Sequence, residues 1–399
     1  MSIGLGPGAA GGPATADEVA YPRFSDAEYE RRAAAVDTLR AAAGVDAVVV
    51  YGSAANRHEL QFLTAFPARQ EGYLVVSPDE PPALFVQLFN HVPNAREMAV
   101  VERVEWGGTD SATTVAAGLG RRGVRRVGLV GAIPYQSHGR LTRALPEVDF
   151  VDLTPAFRRM RLVKSDEEIA WTRHGAAMCD AALRTLVAEA RPGLREYELG
   201  ALVEHAYGRL GGGHGICFLA TAPMSGGGRY VPAQNWSRRR LREGDAILIE
   251  LSAGVGGYTG QVLRTIAVGE PPAAFVELHR VAEAAYDALV AAIRPGATAA
   301  DLLAVAGLID AAGYTVCDDV VHGYGGGYLA PVLRTPATSH APAPNLELAA
   351  GMMLVVQPNV VSADATLGVQ TGELVLVTAD GATSLHGVAG GLLRAGDRV

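Results

Sequence analysis

Residues Ile249–Thr265 read IELSAGVGGYTGQVLRT, and this stretch predicts two short strands joined by a glycine-rich turn. It places a carboxylate at Glu250 and an amide eleven positions later, at Gln261. A hairpin that carries polar side chains at both ends toward one site often holds a metal ion. Because the second group is a neutral amide, the stretch raises the question whether this chain keeps the ligands of such a site.

The strand that ends at Glu250 has a counterpart later in the chain. In LREGDAILIE, which begins at Leu241, a leucine precedes a glycine by three residues and a polar strand-end residue by nine. The same spacing starts at Leu348 in LELAAGMMLVVQ and ends at Gln357. Two similar halves would place Glu250 and Gln357 symmetrically about a shared cleft, since buried polar groups are costly unless they are used.

The segments that precede these strands repeat as well. RPGLREYELGALVEHAYGRLGG begins at Arg191 and RPGATAADLLAVAGLIDAAGY begins at Arg294, with a leucine eight residues after the arginine in both. Each RPG predicts a turn that leads into an amphipathic helix. The second half of the chain is therefore predicted to contain an internal repeat.

The first half alternates helical and strand patterns. A helix is predicted in FSDAEYERRAAAVDTLRAAAG, with its N-cap at Ser25 and its stop at Gly44. The runs VDAVVVYG, GYLVVS, PALFVQLF and RRVGLVG predict buried strands. We therefore predict a disordered arm over residues 1–25, an α/β domain over 26–160 and a second domain over 161–399, which opens with a helix capped by Ser165 and Glu168.

Composition restricts the function and the location. The 399 residues carry a net charge of −8, which argues against a general nucleic-acid binder. The sequence contains no run of eighteen apolar residues, so we expect no membrane span. It also lacks a charged n-region followed by an apolar block, so we expect no signal peptide. The scattered cysteines Cys179, Cys217 and Cys317 form no CxxC pair. They fit a reducing compartment, so we expect a cytoplasmic protein.

Several blocks, in this order, resemble the creatinase, prolidase and aminopeptidase P family: RLVKSDEEIAWTRHGAAMCDAAL, EGDAILIELSAG, GGYTGQVLRTIAVGE, HGYGGG, AAGMMLVVQPN and GVQTGELVLVTADG. The resemblance implies an α+β fold. An N-terminal creatinase-like α/β domain would be followed by a C-terminal pita-bread domain with an internal pseudo-twofold repeat. It also implies a homodimer.

The resemblance further implies where metal ligands would lie, since the family's peptidases hold two divalent metals on Asp, Asp, His, Glu and Glu. The matching positions here are Glu250, Gln261, His322, Gln357 and Gly372, with Glu373 beside the last. Two adjacent divalent ions need several anionic ligands, and amides supply none. We therefore predict a site without metal and without any cofactor. The alternative is a single weakly held metal on Glu250, His322 and Glu373.

The catalytic residues are predicted to be His322, Glu250 and Glu373. His322 titrates near neutrality, so it suits a general acid or base. Glu250 would orient His322 or bind a cationic substrate group. Glu373 is expected to face the same pocket.

Further side chains are predicted to bind substrate. They are Gln261, Gln357, Tyr324, Arg264, Phe62 and Arg69. Arg264 would clamp a carboxylate bidentately or form a structural ion pair. Phe62 and Arg69 come from a stretch that resembles the family segment reaching a neighbouring subunit's cleft.

Together these features predict a metal-independent enzyme that acts on a small polar nitrogen-containing metabolite, such as an amino acid, an amide or a guanidino compound. The resemblance to creatinase favours hydrolysis of a C–N bond by acid–base chemistry. A lyase or isomerase reaction fits the same residues, and so does a non-catalytic binding protein on the peptidase fold. The expected partner is a small-molecule substrate, with neither nucleic acid nor membrane.

Overall fold

The computed structural model describes residues 21–397, which form two compact units. Unit 1 ends at Arg161 and unit 2 begins at Leu162. The arm predicted to be disordered lies, through residue 20, outside the described residues. Each unit has its own sheet and its own hydrophobic core.

Unit 1 alternates helices with strands. Its first helix, α1 (Asp26–Ala43), begins after Ser25, which caps the Glu28 N–H, and ends at Gly44, as the sequence predicts. The other helices are α2 (His58–Thr64), α3 (Val92–Met98), α4 (Ser111–Arg121), α5 (Tyr135–Ala144) and α6 (Thr154–Met160), with a 3₁₀ turn at Phe89–His91. The strands are β1 (Ala47–Gly52), β2 (Gly72–Val76), β3 (Ala83–Val86), β4 (Arg103–Trp106), β5 (Arg126–Val130) and β6 (Asp149–Asp152).

The strands of unit 1 form one sheet in the order β4-β3-β2-β1-β5-β6. The central strand β1 is antiparallel to β2 and parallel to β5. Its side chains alternate between two cores, with Val48 and Val50 in one and Ala47 and Val49 in the other. Burial on both faces explains why β1 is an unbroken apolar run.

Unit 2 contains the longest helix of the described residues. That helix is α7 (Asp166–Glu189), and the predicted capping box of Ser165 and Glu168 is present at its start. It is followed by α8 (Glu196–Gly208), α9 (Ala273–Ala292) and α10 (Ala299–Ala311). Over residues 21–397, no helix combines the length and apolar character needed to cross a membrane.

The main sheet of unit 2 follows the order β13-β12-β14-β16-β10-β8-β7, with β17 beside β16, β18 beside β10 and β9 beside β8; β11 and β15 pair separately. The strands are β7 (Gly213–Pro223), β8 (Asp245–Val255), β9 (Tyr258–Thr259), β10 (Val262–Ala267), β11 (Thr315–Val316), β12 (Val321–Gly323), β13 (Leu329–Leu333), β14 (Met353–Val356), β15 (Val360–Val361), β16 (Gly372–Val377), β17 (Ala382–Ser384) and β18 (Leu393–Arg394). One core packs α7 and α8 on the sheet, and another packs α9 and α10.

The internal repeat predicted from the sequence is confirmed by recurring contacts. The Gly193 N–H donates to the Leu241 carbonyl, and the Gly296 N–H donates to the Leu348 carbonyl, both at 2.9 Å. These turns lead into α8 and α10 respectively. In both halves, the glycine of the RPG turn thus forms a hydrogen bond with the leucine that lies a few residues before a strand, β8 in the first half and β14 in the second.

Candidate active site

Polar side chains from neighbouring strands share one face of the unit 2 sheet. Glu250 on β8 pairs with Leu263 on β10, and Leu263 pairs with Gly372 on β16. Directly paired residues share a face, and alternate residues of a strand return to it. Gln261, two residues before Leu263, is therefore on the same side as Glu250. We call this side the Glu250 face.

His322 belongs to the Glu250 face through the adjoining strands. It pairs with Val355 on β14, and Val355 pairs with Leu374 on β16. Leu374 is two residues from Gly372 on β16, so its side chain lies on the same face of the sheet. The row of paired residues that contains His322 therefore lies beside the row that contains Glu250. Gln357, two residues after Val355, extends the set. The structure thus brings together Glu250 and His322, which the sequence interpretation names as catalytic.

A chain of amide hydrogen bonds links these side chains. Gln261 Nε2 donates to Glu250 Oε1 at 2.8 Å and to Gln357 Oε1 at 3.4 Å. Gln357 Nε2 donates in turn to the Asp319 carbonyl at 3.2 Å and lies 3.5 Å from Asp318 Oδ2. The amide N–H groups of Gln261 and Gln357 therefore link Glu250 to the Asp318–Asp319 segment.

Asp318 and Asp319 are members of this site that the sequence interpretation missed. They lie between β11 and β12, immediately before the strand that carries His322. Both are close enough to Glu250 for their charges to raise its pKa. The available signal was the acidic pair in CDDVVHG, three and four residues ahead of the histidine.

Glu250 favours its protonated form. Burial raises the pKa of its carboxyl group to about 8, the negative charges of Asp318 and Asp319 add to the increase, and the hydrogen bond from Gln261 opposes it. At neutral pH most Glu250 side chains are therefore neutral acids. A buried carboxyl with such a pKa can give up a proton near neutrality, as a general acid must.

His322 favours its neutral form. Burial lowers the pKa of the imidazole to about 4, while the Gly323 carbonyl, Asp318 and Gln357 act in the opposite direction. Nδ1 lies 3.1 Å from the Gly323 carbonyl, which can accept a hydrogen bond but not donate one. Nδ1 therefore carries the proton and leaves Nε2 as the basic nitrogen.

The backbone after His322 needs glycine. The register of β12 against β13 shifts between His322 and Gly323. A Cβ at Gly323 would lie 2.0 Å from the Ala330 carbonyl oxygen, a distance that no side chain tolerates. This bulge sets the direction of the Gly323 carbonyl that holds His322 Nδ1.

Two tyrosines flank His322 and differ in their surroundings. The Tyr328 ring stacks on the imidazole, with centroids 4.1 Å apart and planes 19° apart. Tyr324 meets His322 edge-on, and its hydroxyl bonds with Thr259 Oγ1 at 2.6 Å and Ser252 Oγ at 3.2 Å. The Tyr324 hydroxyl is thus engaged with protein groups, whereas Tyr328 is 49% exposed and accessible to a ligand.

Glu373 and Arg264 lie elsewhere, contrary to the expectation that both face the pocket. Glu373 pairs with Val262 on β10, one residue out of step with the Glu250 row, so it belongs to the opposite face. There it forms an ion pair with Arg264 and accepts a hydrogen bond from the Tyr286 hydroxyl at 3.2 Å. Of the two readings of Arg264, the contacts match the structural ion pair.

Glu373→Gln is expected to lower the free energy of unfolding by about 3 kcal/mol and to leave turnover unchanged. The cost is at the low end for a broken buried pair because carbonyls of Ala389, Leu263 and Gly372 still accept hydrogen bonds from Arg264. Urea unfolding followed by circular dichroism measures it. Glu277→Gln, which breaks an exposed pair with Arg280, is the matched control and should change little. Loss of turnover in Glu373→Gln without loss of stability would contradict this assignment.

Phe62 and Arg69, predicted to bind substrate across a dimer, belong to unit 1. Phe62 is 4% exposed, with the Arg32 guanidinium 4.3 Å from its ring centroid and Phe157 edge-on at 5.8 Å. It therefore packs inside unit 1, and its aromatic surface is already covered. Arg69 is exposed, and its role in a dimer stays a prediction.

The residues of the Glu250 face do not fit the two metals that the resemblance implies. Gln261 directs an N–H, not a lone pair, at Glu250. At Gly372 the backbone has φ +144°, and a Cβ would lie 2.1 Å from the Val356 carbonyl oxygen, so no glutamate ligand can stand there. Over residues 21–397, no three His, Cys, Asp or Glu side chains are grouped to hold a metal ion.

Comparison with known families covers both units. Residues 170–379 match the profile of metallopeptidase family M24. Residues 31–163 match the creatinase/prolidase N-terminal domain. The two matches together extend over most of both units, and the first alone spans more than half of the chain.

Similar proteins are peptidases by name. An uncharacterized hydrolase/peptidase, y4tL, of Sinorhizobium fredii is 27% identical over 302 residues, 70% of this chain and 75% of the relative. The Xaa-Pro dipeptidase of Pyrococcus horikoshii is 27% identical over 263 residues, 66% and 73% respectively. Among solved structures, the prolidase from Pyrococcus horikoshii superposes with a TM-score of 0.78 at 21% identity, covering 91% of this chain and 100% of that one. X-Pro aminopeptidase from Thermotoga maritima gives 0.79 at 18%, covering 91% and 99%.

Proposed function

Because the chain belongs to metallopeptidase family M24, with a creatinase-type N-terminal domain and a pita-bread domain, we propose that it hydrolyses a C–N bond by acid–base chemistry without the two metals. The Xaa-Pro dipeptidase of Pyrococcus horikoshii supports the bond type, since by name it cleaves an Xaa-Pro peptide bond. The altered ligand positions support the departure from metal chemistry. The substrate is a small nitrogen compound, and its reacting group binds at the Glu250 face.

The observation that carries the proposal is that a buried carboxyl group and a buried imidazole share one face, where burial raises the pKa of the first and lowers the pKa of the second. Glu250 is a neutral acid below about pH 8, and His322 is a neutral base above about pH 4. Pairs of groups whose environments separate their pKa values in this way supply an acid and a base at the same pH. Packing alone requires neither the buried carboxyl nor the buried imidazole.

The two groups divide the reaction between them. Nε2 of His322 accepts a proton from water as the water oxygen attacks the carbon of the C–N bond. The Glu250 carboxyl donates a proton to the departing nitrogen, which leaves as an amine or ammonia. The proton on the imidazolium then returns to the Glu250 carboxylate, directly or through water, and restores both groups.

A substrate screen tests the proposal. Amides, ureides, guanidino compounds and Xaa-Pro dipeptides are incubated with the chain, and products are identified by liquid chromatography and mass spectrometry. We expect an amine or ammonia from a non-peptide compound, and loss of this product in His322→Ala. His340→Ala changes an exposed histidine of the same unit and should behave as the unmodified chain.

The other outcomes of the screen separate the remaining functions. Products formed without addition of water would assign a lyase or isomerase. Unchanged turnover in His322→Ala would remove His322 from the chemistry. Binding without any product would assign a non-catalytic binding protein, and cleavage of Xaa-Pro dipeptides restricted to metal-loaded protein would assign an ordinary metallopeptidase.

We also propose that the protein is a cytoplasmic homodimer whose partner is this small molecule. Family membership supports the dimer, and the composition supports the location. Size-exclusion chromatography with light scattering measures the mass in solution. A monomer at working concentration would contradict the dimer.

A further inference from the structure

The acidic pair Asp318–Asp319 forms a part of the pocket that the acid–base pair does not use. Both residues lie beside Glu250, whose pKa their charges raise. Asp319 is 8% exposed and Asp318 is partly buried. Burial raises the pKa of Asp318, and the neighbouring Asp319 carboxylate adds to the increase through a side-chain hydrogen bond and through its negative charge. The arrangement is unfavourable unless a positive group joins it.

The oxygen atoms of the pair are unequally satisfied. Asp318 Oδ1 accepts the Asp319 N–H at 2.8 Å, and Oδ2 lies 3.5 Å from Gln357 Nε2. Asp319 Oδ2 is buried and accepts no hydrogen bond. A buried acceptor without a donor costs about 1–3 kcal/mol, and more when it is charged. A bound molecule that carries an N–H donor would satisfy this oxygen.

Tyr328 supplies an aromatic surface at the same place. One face of its ring covers His322, and about half of the side chain is exposed. Burial raises the pKa of the Tyr328 hydroxyl, and the nearby charge of Asp319 adds to the increase. The carboxylate and the ring are therefore neighbours. A carboxylate beside an accessible tyrosine ring is an arrangement that favours an organic cation.

We propose that Asp318, Asp319 and Tyr328 form a subsite for a positively charged nitrogen group of the substrate, an ammonium or guanidinium group that donates N–H hydrogen bonds. The inference rests on the proposed function in placing this group in the same pocket as the reacting bond. It assigns the negative charges to recognition and leaves Glu250 and His322 for the reaction. The substrate is then a cation whose charge is close to its C–N bond.

Binding of small cations tests the subsite directly. Isothermal titration calorimetry on the full chain uses methylammonium and methylguanidinium chloride, at constant ionic strength, with tetramethylammonium as the probe that has no N–H donor. We expect binding of at least one N–H cation and weaker binding of tetramethylammonium, which can contact the Tyr328 ring but cannot donate a hydrogen bond to Asp319. Asp319→Asn should weaken the binding about 30-fold or more, and Asp318→Asn should weaken it as well. Asp380→Asn removes the same charge from an exposed turn and should change nothing.

The contrary results are distinct from failure of the proposed hydrolysis. Equal binding to the unmodified chain and to a folded Asp319→Asn, or absence of binding by every cation, would overturn the subsite. Tight binding of Mn²⁺ that displaces the organic probes would overturn it in favour of a metal. Cation binding without any turnover would keep the subsite and remove the hydrolysis. Hydrolysis of neutral amides without cation binding would keep the hydrolysis and remove the subsite.

Discussion

Glu250→Gln is expected to lower kcat about 10³-fold, within the range that loss of a general acid produces. The glutamine has the same shape, and its carbonyl oxygen can still accept the hydrogen bond that Gln261 donates to Glu250 Oε1. The pocket should therefore keep its geometry and lose its transferable proton. Steady-state kinetics on the substrate found by the screen measures the change, and KM should move much less than kcat.

The control is Glu347→Gln, which changes an exposed glutamate of the same unit and should leave both parameters unaltered. A rise in KM with kcat unchanged would mean that Glu250 binds substrate without transferring a proton. Turnover equal to that of the unmodified chain would contradict the assignment of Glu250 as the acid.

The rate should depend on pH through two groups, one that must be deprotonated and one that must be protonated. Catalysis needs neutral His322, so kcat/KM is expected to rise with pH through about 4. It also needs protonated Glu250, so kcat/KM should fall as pH rises through about 8. Between these limits the profile is flat, and beyond each limit it changes about tenfold per pH unit.

Glu250→Gln provides the test of the alkaline limb. Its residual activity should no longer fall near pH 8, because the amide does not titrate. The acid limb should remain, since His322 is intact. An alkaline limb that persists in the variant would assign that limb to another group.

Local sequence signals were sufficient for much of the fold. Ser25 with Gly44 and Ser165 with Glu168 define helix ends through contacts within a few residues, so their pattern is visible in the sequence. The repeat was predictable because the same turn-to-strand spacing serves both halves. The family resemblance then supplied the fold type of each domain, which local patterns cannot give.

The face of the sheet on which a site residue lies was predictable where the alternation of side chains along one strand determines it. It was less predictable where the pairing register between strands determines it. Glu250 and Gln357 end equivalent strands of the two halves, so their common face follows from the repeat. Gly372 and Glu373 are adjacent, and one step along a strand moves a side chain to the other face. The partner that holds Glu373 there, Arg264, is more than a hundred residues away in the chain.

The acidic pair Asp318–Asp319 was missed because its importance depends on tertiary burial. Two aspartates between short strands predict an exposed turn in most sequences. Their effect on Glu250 arises when the β11–β12 connection folds over the Glu250 face, beside Gln357. The sequence contained the residues, but no periodicity indicated that they would be enclosed.

Metal dependence is measured most directly by turnover after exhaustive chelation, with metal content determined in the same sample by elemental mass spectrometry. We expect full activity at far less than one metal ion per chain, and no gain when manganese, cobalt, zinc or iron is added. Loss of activity on chelation, restored by one or two equivalents of a divalent metal, would contradict the acid–base assignment of Glu250 and His322.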